Sequence, residues 1–309
     1  MAANLIKTGH DVMLYNRTPG KAAALGKQGA RVAADVAAAC RGDVVVTMLA
    51  DDAAVESVVF GDRGVIATLG KGMMHISMST TSVELSQRLA AAHGVAGQRF
   101  VAAPVFGRPE AAAAAKLFIV AGGAPEDVEA CTPVFQSLGQ KTIHIAEAPQ
   151  AANLVKLSGN FLLASVVQAL GEAMALVAKA GVDRRRYVDL LTSTLFTGPV
   201  FTTYGPLIAE QKFEPAGFAA SLGEKDIRLA LAAAEMLRVP MPLASLVHDR
   251  LLTVIARGGE ALDWSAIGKL AAEDAGLHAT DSLTGTGPTE ERKVRVLEGE
   301  QRVAPRSKH

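Results

Sequence analysis

The chain has little of several features that mark particular classes of protein. Its two cysteines, Cys40 and Cys131, lack C-x-x-C spacing and indicate neither a disulfide framework nor a structural zinc site. The 31 basic residues are balanced by 31 acidic ones, so the positive excess expected of a nucleic-acid binder or a polybasic membrane protein is missing. These absences favour a small-molecule partner, and we predict no nucleic-acid, membrane or metal partner.

The N-terminus lacks a secretory or membrane-spanning pattern. It has no basic region followed by a cleavable apolar segment, and no run of about eighteen uncharged apolar residues begins there. We therefore predict a cytoplasmic protein. With 309 residues, half of them apolar, the chain is long enough for two domains with sizeable cores.

The first 148 residues alternate short β-rich segments with Ala-rich helical segments. The predicted strands are 11–15, 30–32, 43–48, 74–78, 99–101, 117–121 and 141–145. The predicted helices between them lie near 21–27, 33–40, 53–60, 82–93 and 125–138. Such alternation is typical of βαβ units, so we predict an α/β, Rossmann-like domain with a mostly parallel sheet over residues 1–148.

The pattern becomes helical after residue 148, beginning with one long apolar segment at 149–181. About thirty residues at about 1.5 Å each give a helix of about 45 Å, long enough to join two domains. Asn153, Lys156 and Asn160 share one face near its start. We predict an all-α domain over 149–277, including a helix that starts with a Ser221/Glu224 capping box, and a disordered tail over 278–309.

The opening of the chain reads as a helix ending at Gly9, followed by a strand ending near Asn16. In a dinucleotide-binding unit, a strand and a G-x-G-x-x-G turn precede that helix and hold the pyrophosphate. We therefore expect the Rossmann-like domain to be truncated at its start and to bind cofactor weakly in this form. A plain starting helix is the alternative.

The turn after that strand reads Asn16-Arg17-Thr18. NAD-selective enzymes usually place an Asp or Glu there, which would repel a 2′-phosphate. An amide, a guanidinium and a hydroxyl suit a 2′-phosphate instead, so we predict that NADP(H) is preferred over NAD(H). An ordinary polar turn is the alternative.

Several stretches together resemble the β-hydroxyacid dehydrogenase family, which includes 3-hydroxyisobutyrate dehydrogenases and glyoxylate/succinic semialdehyde reductases and is related to 6-phosphogluconate dehydrogenase. In chain order they are the opening residues 1–12, Tyr15-Asn-Arg-Thr18, Thr47-Met-Leu-Ala-Asp51, Met78-Ser-Thr-Thr-Ser82, Ala103-Pro-Val-Phe-Gly107, Asn153-Leu-Val-Lys-Leu-Ser-Gly-Asn160 and Lys225-Asp226. No single stretch is diagnostic, but their order and spacing are specific. The resemblance runs through residues 1–277.

The resemblance implies roles for several residues. Lys156 corresponds to the catalytic lysine, a general acid/base, and Asn160 to the neighbour that orients substrate. Lys225 would come from the second domain to close over the cofactor. The residues implied to border the adenosine half are Met48, Leu49 and Ala50, and those implied to border the nicotinamide half are Ser79 and Thr80. The family's helical domain commonly dimerises, which implies a homodimer or higher homo-oligomer.

The substrate loop departs from the family pattern. Where the family usually has Asp-Ala-Pro-Val-Ser-Gly-Gly, this chain has Ala-Ala-Pro-Val followed by Phe106, Gly107 and Arg108. The missing serine and second glycine would bind a substrate carboxylate. Either Arg108 binds that carboxylate, or the pocket accepts a less polar carbonyl compound against Phe106, or Arg108 faces solvent.

The leading interpretation is an NADP(H)-dependent oxidoreductase that interconverts a small aldehyde or ketoacid and the corresponding hydroxyacid. Lys156 would be its general acid/base. One alternative is an imine reductase-like enzyme, which the retained lysine disfavours. The other is a catalytically silent binding protein on the same fold, because the glycine-rich loop is missing from the sequence.

Overall fold

The computed structural model describes residues 1–277, and the predicted tail at 278–309 lies outside the described residues. The strands are β1 (Met13–Leu14), β2 (Arg31–Val32), β3 (Val44–Thr47), β4 (Met74–Ser77), β5 (Arg99–Ala102), β6 (Val105–Phe106), β7 (Leu117–Gly122) and β8 (Gly139–Ala146). The helices between them are α1 (Ala2–Lys7), α2 (Pro19–Gly26), α3 (Val36–Ala39), α4 (Asp52–Phe60), α5 (Val65–Thr68), α6 (Val83–Ala96), α7 (Pro109–Ala113), α8 (Pro125–Ala130) and α9 (Thr132–Leu138). This alternation is the Rossmann-like pattern expected from the sequence.

The strands form two sheets. β1 and β2 pair in parallel as a two-stranded sheet, and the other six strands form a sheet of order β3-β4-β5-β7-β6, with β8 pairing with β7. β3, β4 and β5 are parallel, whereas β7 runs antiparallel to β5 and β6. The carboxyl ends of β3 and β4 therefore meet at one edge, where ligands of open α/β sheets bind.

Two details of the predicted secondary structure were wrong. The predicted helix at 125–138 is two helices, α8 and α9, and Pro133, which has no N–H to donate, occupies the first turn of the second. The short elements β6, α5 and α7 were not predicted, because two to five residues carry too little periodicity. Of the six strand pairings within residues 1–277, four are parallel, so the prediction of a mostly parallel sheet is confirmed.

The helical part begins with the 30-residue helix α10 (Gln150–Lys179). It continues with α11 (Arg184–Ser193), α12 (Pro199–Ala209), α13 (Ala220–Leu237), α14 (Pro242–Ala256), a short 3-10 helix (Trp264–Ala266) and α15 (Ile267–Asp274). α10 packs against α12, α13 and α15 and also against α6 and β7 of the Rossmann-like part. It therefore connects the two domains, as the sequence predicted.

Helix α10 is also the one helix within residues 1–277 that is long and apolar enough to cross a membrane, with a mean hydropathy of 1.8. The core helix of a soluble protein satisfies the same criterion. Twelve of its residues are buried against this chain's own elements, among them the charged Lys156. The absence of a membrane partner stays a prediction.

Each domain has its own apolar core, and a smaller cluster joins them. Val83 of α6 packs with Leu157 of α10 and with Leu229 and Ala233 of α13. Within the helical domain, α10 and α15 approach so closely that a Cβ on Gly171 would overlap the backbone of Gly268. Helix α10 is thus packed against elements of both domains along its length.

The predicted capping box on α13 was wrong. The helix begins at Ala220 after Ala219, with no side-chain cap. Glu224 instead accepts hydrogen bonds from Arg228 and contacts His248 at 3.0 Å. Lys225 therefore lies in the second turn of α13, where its side chain projects from the body of the helix.

A buried polar chain crosses the Rossmann-like domain beneath the carboxyl end of β3. Thr47 Oγ1 lies 3.0 Å from His75 Nε2, His75 Nδ1 lies 2.8 Å from His93 Nε2, and His93 Nδ1 lies 2.7 Å from Gln98 Oε1. Burial lowers the pKa of both histidines, so both imidazoles are neutral. Each of their four ring nitrogens lies within hydrogen-bond distance of a partner in this chain. Within residues 1–277 no three His, Cys, Asp or Glu side chains cluster as metal ligands would, and metal independence stays a prediction.

Candidate active site

The side chain of Lys156 is buried where the two domains meet. It lies in the second turn of α10, and Asn160 follows one turn later on the same face. Lys156 Nζ donates a hydrogen bond of 2.9 Å to Asn160 Oδ1 and lies 4.1 Å from the centre of the Phe106 ring. The structure therefore brings together two predicted residues of α10 and one of β6.

The surroundings of Lys156 favour its neutral amine over its ammonium form. Burial lowers the pKa of Lys156 from 10.5 to about 8; nearby Asp226 acts in the opposite direction, and Lys225 adds to the lowering. An acid/base group works best when its pKa is close to the working pH. Lys156 can therefore both donate and accept a proton near neutral pH.

Asp226 belongs to this cluster, although no role was predicted for it. It is almost fully buried, its Oδ2 accepts a hydrogen bond from Asn160 Nδ2, and its Oδ1 lies 3.0 Å from Lys225 Nζ. One carboxylate thus orients Asn160, whose Oδ1 in turn orients Lys156. No local pattern singled it out, because α13 carries several other charged residues, among them Glu224 and Arg228.

Asn153, the third polar residue on the same face of α10, has a different function. Its Oδ1 accepts from Thr81 N at 3.3 Å, and its Nδ2 donates to Ser86 Oγ at 3.1 Å. These bonds tie α10 to the loop after β4 and to α6. Asn153 therefore positions the helix and does not contact the lysine.

Lys225 links the helical domain to the predicted cofactor segments. Its Nζ donates to Ala50 O at 3.0 Å and to Thr80 O at 2.8 Å, across the cleft from α13. Leu49 N donates to Ser79 Oγ at 2.8 Å, so the segments after β3 and β4 are also joined directly. Five of the predicted cofactor residues, Lys225 included, are therefore joined at the carboxyl edge of the sheet.

These segments fit the dinucleotide that the family implies. They occupy the carboxyl ends of two parallel strands, the edge where dinucleotides bind. Met48 has an exposed side chain that offers an apolar surface for an adenine ring. Thr80 lies on the side of the cleft that Lys225 reaches, whereas the Ser79 side chain is fully buried and its hydroxyl accepts a hydrogen bond from Leu49 N.

The turn Asn16-Arg17-Thr18 follows β1 and is exposed. Thr18 N donates to Asn16 Oδ1 at 2.8 Å, which shapes the turn and leaves the Arg17 side chain in solvent. β1 pairs with β2 rather than with β3, so this turn belongs to the smaller sheet. Its assignment to the 2′-phosphate stays a prediction.

The backbone of the substrate loop is tightly constrained at Gly107. Its φ of +144° is a conformation that side-chain-bearing residues rarely adopt, and a Cβ there would lie 2.7 Å from Leu117 Cδ2. Glycine is therefore required for the turn that carries Phe106 toward Lys156. A direct substrate contact by Gly107 stays a prediction.

Arg108 is engaged by the helical domain, and the alternative that it faces solvent was wrong. Its Nη1 lies 3.1 Å from Oδ2 of Asp263, which is almost completely buried, and its guanidinium lies over the Tyr204 ring at 5.5 Å. The same carboxylate oxygen accepts from Gly217 N and Phe218 N. Arg108 anchors the substrate loop to the second domain, so its assignment to a substrate carboxylate gains no support.

Comparison with known proteins identifies the family. The model for the NAD binding domain of 6-phosphogluconate dehydrogenase matches residues 1–146, and the model described as NAD-binding of NADP-dependent 3-hydroxyisobutyrate dehydrogenase matches residues 151–271. The uncharacterized oxidoreductase YfjR of Bacillus subtilis (strain 168) is 45% identical over 269 residues, which cover 86% of this chain and 93% of that protein. The chain belongs to the β-hydroxyacid dehydrogenase family.

Two further relatives agree. Glyoxylate/succinic semialdehyde reductase 1 of Arabidopsis thaliana is 33% identical, over 86% of this chain and 92% of that protein. The crystal structure of 3-hydroxyisobutyrate dehydrogenase (ygbJ) from Salmonella typhimurium superposes with a TM-score of 0.79 at 26% identity, covering 87% of this chain and 94% of that one. The predicted family, fold class and enzyme class are confirmed: this β-hydroxyacid dehydrogenase is an NAD(P)-dependent oxidoreductase that acts on CH–OH groups.

Proposed function

We propose that the enzyme interconverts a small aldehyde or ketoacid and the corresponding hydroxyacid, with NADP(H) as the preferred cofactor and Lys156 as the general acid/base. The observation that carries this proposal is the buried Lys156, whose pKa is lowered to about 8 and whose Nζ is oriented by Asn160. When bound, the reduced nicotinamide supplies hydride to the carbonyl carbon. The chain must supply the proton.

Lys156 provides that proton from Nζ. In reduction, the ammonium donates a proton to the carbonyl oxygen as negative charge develops there. Asn160 Oδ1 accepts one N–H of the ammonium, which leaves the remaining N–H groups for the substrate. In oxidation, the neutral amine accepts the hydroxyl proton, so the two directions need opposite protonation states.

The pH dependence of the rate tests this assignment. We expect kcat/KM for reduction to fall as the pH rises through about 8, because the ammonium is lost, and that for oxidation to rise through the same region. The Lys156→Met variant should lose at least about 100-fold in rate and lose this pH dependence. Full activity of that variant with glyoxylate, succinic semialdehyde or related carbonyls would exclude Lys156 as the acid.

The preference for NADP(H) is supported by the composition of the Asn16-Arg17-Thr18 turn, which has no carboxylate to repel a 2′-phosphate. Arg17→Glu should raise KM for NADPH at least about tenfold and leave that for NADH nearly unchanged, because a charge-assisted hydrogen bond contributes about 1.5–3 kcal/mol. Equal effects on both cofactors would remove the turn from the 2′-phosphate site.

A homo-oligomer built through the helical domain is supported by its exposed apolar side chains. On α10, Leu162 is 60% exposed and Leu176 is 74% exposed. Large exposed apolar surfaces mark interaction sites. Sedimentation of the wild-type chain and of a Leu176→Glu variant tests the proposal, which predicts an oligomer that the variant weakens.

Measuring kcat/KM with a cyclic imine tests the imine reductase alternative. Reduction of a cyclic imine at a higher kcat/KM than any aldehyde or ketoacid would replace the proposed function. The catalytically silent alternative predicts no NADPH oxidation with any of these compounds.

A further inference from the structure

The Phe106 ring occupies the space directly beside the proposed acid. Its centre is 4.1 Å from Lys156 Nζ, so the ammonium lies over the ring face. The ring also packs against the backbone of α10 at Gly159, where any Cβ would overlap it. Phe106 therefore forms one wall of the space next to the Lys156 proton.

This wall is unfavourable for an anion. The face of an aromatic ring carries partial negative charge, which attracts the ammonium of Lys156 and repels a carboxylate. A buried carboxylate also loses its hydration and needs charged or hydrogen-bonding partners in return. Phe106 offers neither, because its side chain has no polar atom.

The neighbouring cations already have partners. Lys225 is paired with Asp226 and donates to the carbonyl oxygens of Ala50 and Thr80. Arg108 is paired with the buried carboxylate of Asp263. Redirecting either cation to a substrate carboxylate would leave a buried carboxylate unpaired, which costs about 3–5 kcal/mol.

We propose that Phe106 is the specificity-determining residue and that it selects carbonyl compounds without a carboxylate on the reacting carbon, with hydrogen or an apolar group in that place. The inference rests on the proposed function and narrows its substrate class to aldehydes and ketones that have no carboxylate on the carbonyl carbon. In the reaction, a C–H bond forms at the carbonyl carbon with hydride from NADPH, and the carbonyl oxygen takes its proton from Lys156. The products are the alcohol, NADP⁺ and neutral Lys156.

Matched substrate pairs test the inference with the full chain. Acetaldehyde is compared with glyoxylate, and benzaldehyde with phenylglyoxylate, since each pair differs in the carboxylate on the reacting carbon. We expect wild-type kcat/KM to favour the uncharged member at least about tenfold. Phe106→Ser removes the ring and adds a hydroxyl that can donate a hydrogen bond to the carboxylate. It should shift that ratio at least about tenfold toward the carboxylate, an effect of the size expected from a hydrogen bond to a charged group.

Two further variants keep the result interpretable. Phe106→Leu retains apolar bulk without the ring face, so it folds more readily than Phe106→Ser and should shift the ratio in the same direction by a smaller factor. Phe60→Leu makes the same substitution at an exposed phenylalanine at the end of α4 and should leave the ratio unchanged. A wild-type preference for glyoxylate, or ratios unaffected by both Phe106 variants, would overturn the inference while leaving the proposed function standing.

A binding measurement separates the two proposals. Ligand-detected NMR on the full chain compares acetophenone with phenylglyoxylate, and no turnover is needed. Preferential binding of acetophenone by the wild type, reversed in Phe106→Ser, supports the role of Phe106 even if no carbonyl is reduced and the proposed function fails. Equal binding of both ligands by all variants overturns it.

Discussion

Replacing Lys156 by methionine should make the protein more stable at neutral pH. The pKa of Lys156 is 10.5 in the unfolded chain and about 8 in the folded one, a difference of about 2.5 units, or about 3 kcal/mol at 1.36 kcal/mol per unit. The folded state binds this proton less tightly, so below pH 8 the buried charge lowers the free energy of unfolding by that amount. As the pH rises from 8 to 10.5, that stability is recovered.

The substitution removes the charge but keeps an unbranched side chain of similar length. Asn160 Oδ1 loses its donor, at a cost of about 1 kcal/mol, while Lys225 and Asp226 remain a balanced pair at 3.0 Å. The net expectation is a gain of about 2 kcal/mol at pH 7, which disappears by about pH 10.

Denaturant unfolding at both pH values measures this difference, with the single tryptophan, Trp264, reporting on the helical core. Lys212→Met is the control, because Lys212 is exposed and its replacement should change stability by less than about 0.5 kcal/mol at either pH. Equal destabilisation of Lys156→Met at both pH values would mean that the buried charge of Lys156 does not lower the free energy of unfolding, and would refute this prediction.

Three further predictions concern the scaffold. The free energy of unfolding should fall as the pH drops below about 6.5, because the lowered pKa values of His75 and His93 make the unfolded chain bind more protons there. Chemical denaturation across that range measures this fall, and the free energy of unfolding of His75→Gln should depend less steeply on pH. Gly171→Ala should lower stability by about 1–3 kcal/mol, since the added Cβ meets the backbone of Gly268; an unchanged melting temperature would contradict it. Asp263→Ala should cost about 3–5 kcal/mol by leaving a guanidinium and backbone N–H groups unpaired, as thermal unfolding would report.

Local patterns in the sequence predicted much of the architecture. The alternation of β-rich and Ala-rich segments gave the Rossmann-like domain, and the uninterrupted apolar segment after residue 148 gave α10, because both signals span many residues. The spacing of Lys156 and Asn160 placed them on one helical face, where their side chains are hydrogen-bonded.

Contacts between residues far apart in the sequence could not be predicted from it. Arg108 and Asp263 are 155 positions apart, and no local pattern pairs them. The capping-box spacing at Ser221 and Glu224 was present, but the N-cap of α13 is Ala219, two residues earlier, and Glu224 contacts His248 instead. Local propensity was overridden there by tertiary packing.

The adjacency of Lys225 and Asp226 on α13 has a consequence for the timing of catalysis. Lys225 joins α13 to the segments after β3 and β4 by hydrogen bonds, and Asp226, the next residue, orients the Asn160 amide that accepts a hydrogen bond from Lys156. Because α10 and α13 pack against each other in the helical domain, a movement of α13 away from these strand ends would carry Asn160 and Lys156 with it. The proposed proton donor would then lie opposite the cofactor segments only while Lys225 holds the cleft closed.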